Sequence, residues 1–165
     1  MKPREFHRPC EAVKGEVLHY TDCGLDNIFL LNGFEWEEVD GERYLSVADI
    51  DGLHRAIGLH IVMDKKAPTG QEMRFLRTEM GLSQAELGKL LSVSDQSVAR
   101  WEKGKTDVPG TAVFSFKVMY VVSLVPESMR TEVLDTFISA LKRLSDEVAS
   151  PPLRGTLMPM RWTGA

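Results

Sequence analysis

The chain has 165 residues, 43% of them apolar, and 20 basic against 24 acidic side chains give a net charge of −4. That length and apolar content can bury the core of one or two small domains. The longest apolar run, Val118 to Val125, is interrupted and too short to cross a bilayer, and the only cysteines, Cys10 and Cys23, argue against a structural disulfide in a chain expected to be cytoplasmic.

In chain order, Ile28 to Leu31, Phe34 to Val39 and Tyr44 to Val47 read as short strands, and Val39-Asp40-Gly41-Glu42 fits a two-residue type I′ hairpin turn. A small antiparallel sheet is expected. Either Ser46 or Asp49 then starts a helix through Ile50, Leu53, His54, Ile57 and Ile61, which ends before the boundary at Ala67-Pro68. His54 and His60 fall on that helical pattern with no carboxylate or cysteine at ligand spacing, so packing or surface roles are expected for both. The types of His7, Cys10, His19 and Cys23 suit zinc, but H-x2-C-x8-H-x3-C matches no common site and His7 sits in a terminus expected to fray. A metal-free domain over residues 1–67 is the resulting expectation.

Thr69 with Glu72 makes a capping box that opens the next helix. Ser83 with Glu86 makes another, followed by Leu87, Leu90 and Leu91 as an apolar stripe and by Gly88, which admits a close backbone. That helix should stop near Ser92. Ser94 caps a further helix whose inward residues are Val98 and Trp101, with Gly104 as its stop signal, leaving Asp95, Gln96, Ser97 and Arg100 pointing outward. Two short capped helices joined by a tight turn can deliver one helix into a DNA groove, or can be an ordinary helical hairpin.

Beyond Pro109, the residues Ala112, Val113, Phe114, Phe116, Val118, Met119, Tyr120, Val121, Val122, Leu124 and Val125 fill nearly every face of a helix. A helix apolar all round needs cover on all sides. Pro126 starts another, with Met129, Val133, Phe137, Leu141, Leu144 and Val148 on one stripe, broadened by Leu134 and Ile138. A homodimer built through residues 111–148 would cover the excess, and a completed monomeric core is the alternative. Residues 150–165 read as a flexible tail.

The segment from Thr69 to Pro109 resembles the Cro/phage-repressor (XRE) helix-turn-helix family, through Phe75-Leu-Arg-Thr-Glu-Met-Gly-Leu-Ser-Gln84 and Arg100-Trp-Glu-Lys-Gly104. The resemblance implies a five-helix, lambda-repressor-like all-α domain over residues 68–149 behind the small α+β domain. It places Gln84 at a phosphate or outer base edge and Asp95, Gln96 and Arg100 on the base-facing side, with Ser97 a lesser candidate. Arg77 and Glu102 fall where family members form an internal ion pair. Gln can bridge adenine N6 and N7, and Arg can fork onto guanine O6 and N7. Asp95, a carboxylate near phosphates, would accept from a cytosine N4 or act against wrong sequences.

Tyr20-Thr-Asp-Cys-Gly-Leu-Asp-Asn-Ile-Phe-Leu-Leu-Asn-Gly33 is similar to the core of the N-terminal domain of MqsA-type antitoxins, a zinc-finger-like sheet ahead of an XRE-type domain. Here the paired C-x-x-C motifs of that family are absent. The net charge divides along the chain: residues 1–67 carry 8 basic and 13 acidic groups, residues 68–109 carry 6 of each, and residues 110–165 carry 6 and 5. Within the middle segment Ser94, Lys89, Arg100, Lys103 and Lys105 are candidates for phosphate contact, with modest non-specific affinity expected. No G-x-S-x-G, P-loop or H-E-x-x-H is present, and a Cys23–His19 dyad rests on proximity alone.

The sequence therefore predicts a non-enzymatic, cofactor-free, sequence-specific DNA-binding regulator. It would act as a homodimer repressing at a palindromic operator in a bacterial cytoplasm or nucleoid, with no membrane partner. The alternative is an antitoxin whose acidic N-terminal domain neutralises a basic toxin and which represses its own operon.

Overall fold

A computed structural model of the chain describes residues 3–9, 11–64, 67–129, 131–132, 135, 138–139 and 163–164. The hairpin forms as the turn chemistry dictates. Strands β4 (Phe34–Val39) and β5 (Glu42–Val47) pair in register from Phe34↔Val47 to Val39↔Glu42. Both turn residues take positive φ, 54° at Asp40 and 82° at Gly41, as type I′ requires.

The expected single antiparallel sheet is not what forms. The hairpin stands as its own two-stranded sheet, while β3 (Ile28–Leu30) belongs to a second sheet in the order β2-β3-β1-β6. There β1 (Arg4–His7) runs parallel to β3, and β2 (Leu18–His19) and β6 (Thr163–Gly164) pair antiparallel to their neighbours. The cause lies in Asn32, whose side chain is fully buried. Its Oδ1 accepts from Arg8 N at 2.6 Å, while its Nδ2 donates to Arg8 O at 3.1 Å and Glu11 O at 3.0 Å. These bonds fasten the N-terminal segment beside β3, and Gly33 at φ 74° turns the chain out into the hairpin. His7 accordingly lies in an inner strand rather than in a frayed terminus. Residues 150–162 and 165 of the expected tail fall outside the described residues, but Thr163 and Gly164 pair with His7 and Phe6 at the edge of the sheet.

Asp49 starts helix α1 (Ile50–Asp64), its Oδ1 accepting from Gly52 N at 3.2 Å. Leu53, Ile57 and Ile61 face inward and are fully buried, whereas Ile50, the first residue of the helix, stays 46% exposed. Next come α2 (Gly70–Glu79), α3 (Gln84–Leu91), α4 (Asp95–Glu102) and α5 (Gly110–Ser123). Among the described residues the architecture is α+β, a small N-terminal β-sheet region followed by helices α1 to α5, with β6 returning to the sheet edge.

One apolar core runs through all of it, joining Phe6, Leu25, Ile28, Leu30 and Phe34 to α1 and onward to Met73, Leu76, Leu87, Val98, Trp101, Phe116 and Tyr120. Gly58 permits the closest approach, since a Cβ there would lie 1.9 Å from Tyr120 Oη. Burial pushes the Tyr120 phenol well above its ordinary pKa. Polar ties join the sheet region and α1 to α2. Arg4 Nη2 meets Glu72 Oε1 at 3.0 Å, Gln71 Nε2 donates to Asp26 Oδ2 at 3.0 Å, and His54 bridges Tyr20 Oη at 2.9 Å and Glu79 Oε1 at 3.0 Å. His54 thus takes as its carboxylate partner Glu79, 25 residues away in sequence.

Helix α5 buries only Val113, Phe116 and Tyr120, leaving Phe114 at 68%, Val121 at 39% and Val122 at 45% exposure. Val133, Leu134, Phe137, Leu141, Leu144 and Val148 of the next expected stripe lie outside the described residues. After Pro126 comes a 3-10 turn, Glu127–Met129, and Ile138 is 40% exposed. Among the described residues no helix is long and apolar enough to cross a membrane.

Candidate nucleic-acid interface

Each of helices α2, α3 and α4 begins on a hydroxyl. Thr69 and Ser83 sit in extended backbone and close complete capping boxes with Glu72 and Glu86. At α3, Ser83 Oγ accepts from Glu86 N at 3.2 Å, and Glu86 Oε2 accepts from Ser83 N at 2.8 Å. The Ser83 hydroxyl, then its backbone N–H, holds the Glu86 carboxyl below the ordinary glutamate pKa. At α4, Ser94 Oγ accepts from Ser97 N at 3.1 Å and lies 2.9 Å from Ser97 Oγ. Ser94 and Ser97 are therefore engaged with each other at the helix start, where the macrodipole and free N–H groups favour a phosphate.

The turn between α3 and α4 is closed by Ser92, left-handed at φ 57°, and by the absence of a side chain at Gly88. A Cβ there would come within 2.8 Å of Val93 O. Leu87 and Gly88 are buried and Leu91 is half-buried, but Leu90 is 59% exposed, contrary to the stripe expected. The packed face of this short helix runs through positions i, i+1 and i+4, and Leu90 at i+3 falls off its edge.

On α4, Val98, Trp101 and Glu102 are buried, while Asp95, Gln96 and Arg100 are exposed. Asp95 Oδ1 accepts from Gln96 N at 2.8 Å. Lys103 caps the C-terminus, Gly104 turns the chain at φ 63°, and Lys103 and Lys105 are exposed beyond it.

Glu102 organises the interior of the site. Arg77 Nε donates to its Oε1 at 2.5 Å and Nη2 to its Oε2 at 3.2 Å, while Nη1 reaches Leu82 O at 2.6 Å. Side-chain exposures of 13% and 4% make this a desolvated, bidentate pair. Gln84 Nε2 also donates to Glu102 Oε2, at 2.7 Å. A side chain expected at a phosphate or outer base edge is thus held from within by the buried carboxylate, 18 residues away, and no local pattern announces that bond.

The residues considered for zinc do not converge in the described part. His19 Nε2 lies 2.9 Å from Asp26 O, Cys23 Sγ 3.9 Å from Tyr20 O, and Cys10 is outside the described residues. Burial raises the Cys23 thiol pKa.

The Helix-turn-helix family model matches residues 73–115, from within α2 to the first turns of α5. No curated protein and no solved structure matches the chain. The match over residues 73–115 supports a DNA-binding regulator of the XRE helix-turn-helix kind.

Proposed function

We propose that the chain is a sequence-specific transcriptional repressor that binds a two-fold symmetric operator as a homodimer. In this reading α4 is the recognition helix. Asp95, Gln96 and Arg100 read base edges, with Ser97 at their margin, while Gln84, Ser94, Lys103 and Lys105 meet phosphates. The observation that carries the proposal is the division of α4 itself: Asp95, Gln96 and Arg100 lie exposed in phase, while Val98, Trp101 and the Arg77-held Glu102 lock its other side. The outward Phe114, Val121 and Val122 of α5 support the dimer, since a second copy would remove them from water.

Selection of duplexes from a random-sequence pool tests this. A palindrome with half-sites about one duplex turn apart is expected. Arg100→Ala should weaken its binding by about 1–3 kcal/mol and relax one base pair, while Lys105→Ala should weaken all duplexes evenly and flatten the salt dependence. Unchanged affinity for both Arg100→Ala and Gln96→Ala would remove the assignment. A monomer mass at micromolar concentration in native mass spectrometry would remove the dimer.

One observation favours a second reading, an antitoxin for a basic protein. The exposed β4–β5 hairpin holds Glu35, Glu37, Glu38, Asp40 and Glu42 against the single Arg43. A gene for a small basic protein abutting this one would favour that reading over a solitary regulator.

A further inference from the structure

Helix α2 is the mechanical link between the N-terminal sheet region and α4. At its start, Glu72 does two things. Its Oε2 accepts from Thr69 N at 2.7 Å to complete the cap, and its Oε1 takes Arg4 Nη2 of β1 at 3.0 Å, with side-chain exposures of 9% for Arg4 and 0% for Glu72. At its end, Glu79 meets His54 of α1 at 3.0 Å, and His54 is held in turn by Tyr20 Oη at 2.9 Å. The sheet region and α1 therefore grip α2 at both termini.

Helix α2 in turn grips α4 at two points. Gly70 abuts the last turn so closely that a Cβ would lie 2.5 Å from both Trp101 O and Glu102 O. Arg77 forks onto the Glu102 carboxylate. Tightly packed elements of this kind move as units, so a shift at the start of α2 must displace the end of α4.

We propose that the N-terminal sheet region is a positioning element for the recognition helix, with Arg4 as its positioning residue acting through Glu72 on α2 and through α2 on α4. This inference rests on the DNA-binding reading above. Arg4 need not approach DNA. It sets the angle at which α4 presents Gln96 and Arg100, and thereby how well the correct base pairs are distinguished from others.

The test uses the full chain, the duplex it selects from a random pool, and a scrambled duplex of equal length, at a temperature where circular dichroism reports each variant folded. Arg4→Gln should weaken binding to the selected duplex by on the order of tenfold while leaving the scrambled duplex within about twofold, because base contacts need the helix angle more than phosphate contacts do. Arg4→Lys, which keeps the charge, should recover part of the loss. Tyr20→Phe loosens the opposite end of α2 and serves if Arg4→Gln does not fold. It should lower the ratio of selected to scrambled affinity in the same direction by about twofold to threefold. Variants that melt earlier yet keep the wild-type ratio would overturn the inference. If the wild-type chain enriches no duplex at all, the DNA-binding reading fails and this inference with it.

Discussion

The antiparallel β4–β5 hairpin and the α3–α4 pair are both short two-element devices closed by left-handed residues, Asp40 and Gly41 in one and Ser92 in the other. They face solvent with different chemistry. Over residues 34–47 the hairpin carries five carboxylates and one arginine, a balance of −4 that equals the charge of the entire chain, and Arg43 lies over the Trp36 ring at 4.9 Å. The helix pair has Lys89, Arg100, Lys103 and Lys105 exposed in a segment that is neutral overall. A polyanion is thus repelled by one device and tolerated by the other, which leaves α4 the open approach. Their interiors differ as well. The hairpin is held by its ladder and by the apolar side of Phe34, Leu45 and Val47, whereas the helix pair is built around a desolvated carboxylate shared by Arg77 and Gln84.

The largest expected effect breaks the helix pair and spares the hairpin. Glu102→Ala leaves the Arg77 guanidinium without its buried partner, and a loss of about 3 kcal/mol in unfolding free energy is expected from chemical denaturation. A midpoint within error of wild type would mean that the pair contributes nothing net. By contrast, Glu37→Gln on the hairpin should change stability by less than about 0.5 kcal/mol, the ordinary range for a surface site. Its consequence is electrostatic: one fewer carboxylate should make binding to a scrambled duplex slightly tighter at low salt, an effect that fades as salt is raised. Weaker binding would show that the hairpin helps rather than hinders the approach to DNA.

The smallest effect sharpens the contrast by pH. Glu86 has its folded pKa below the ordinary value of 4.5, so its cap contributes fully above pH 4.5 and is lost as pH falls through the folded value. Tyr20, beside the sheet, is pushed by burial from 10.0 up to about 12, so its contribution is fully present below pH 10 and lost as pH rises through about 12. Acid should therefore loosen the start of α3, and alkali the seam between Tyr20 and His54. Glu86→Gln should flatten the acid limb of the stability profile alone, and Tyr20→Phe the alkaline limb alone. Each swapped outcome would reassign the group responsible.

How much of this was legible in advance follows from the range of the interactions. The hairpin turn at Asp40-Gly41, both capping boxes, the Ser94 cap and the stop at Gly104 are written within four residues of chain, and the helix-turn-helix resemblance rests on that same local grammar. Strand β1 was not legible, because Arg4-Glu-Phe-His carries no strand pattern of its own and pairs only because Asn32 and β3 are already there. Residue type and spacing predict Leu90 inward, yet it is 59% exposed, because the packed face of α3 is set by Leu87, Gly88 and Leu91.

By itself, then, the sequence determined where each helix of the 69–104 segment begins, where α3 and α4 end and which side of α4 is polar, since caps, turns and periodicity act over single turns of backbone. Only the tertiary structure decided that Arg4 pairs with Glu72, that His54 joins Tyr20 to Glu79, that Gln84 leans on Glu102 and that α5 turns Phe114 outward. These contacts join groups brought together by the collapse of the core, where a desolvated charge or hydroxyl takes whichever partner the packing places beside it.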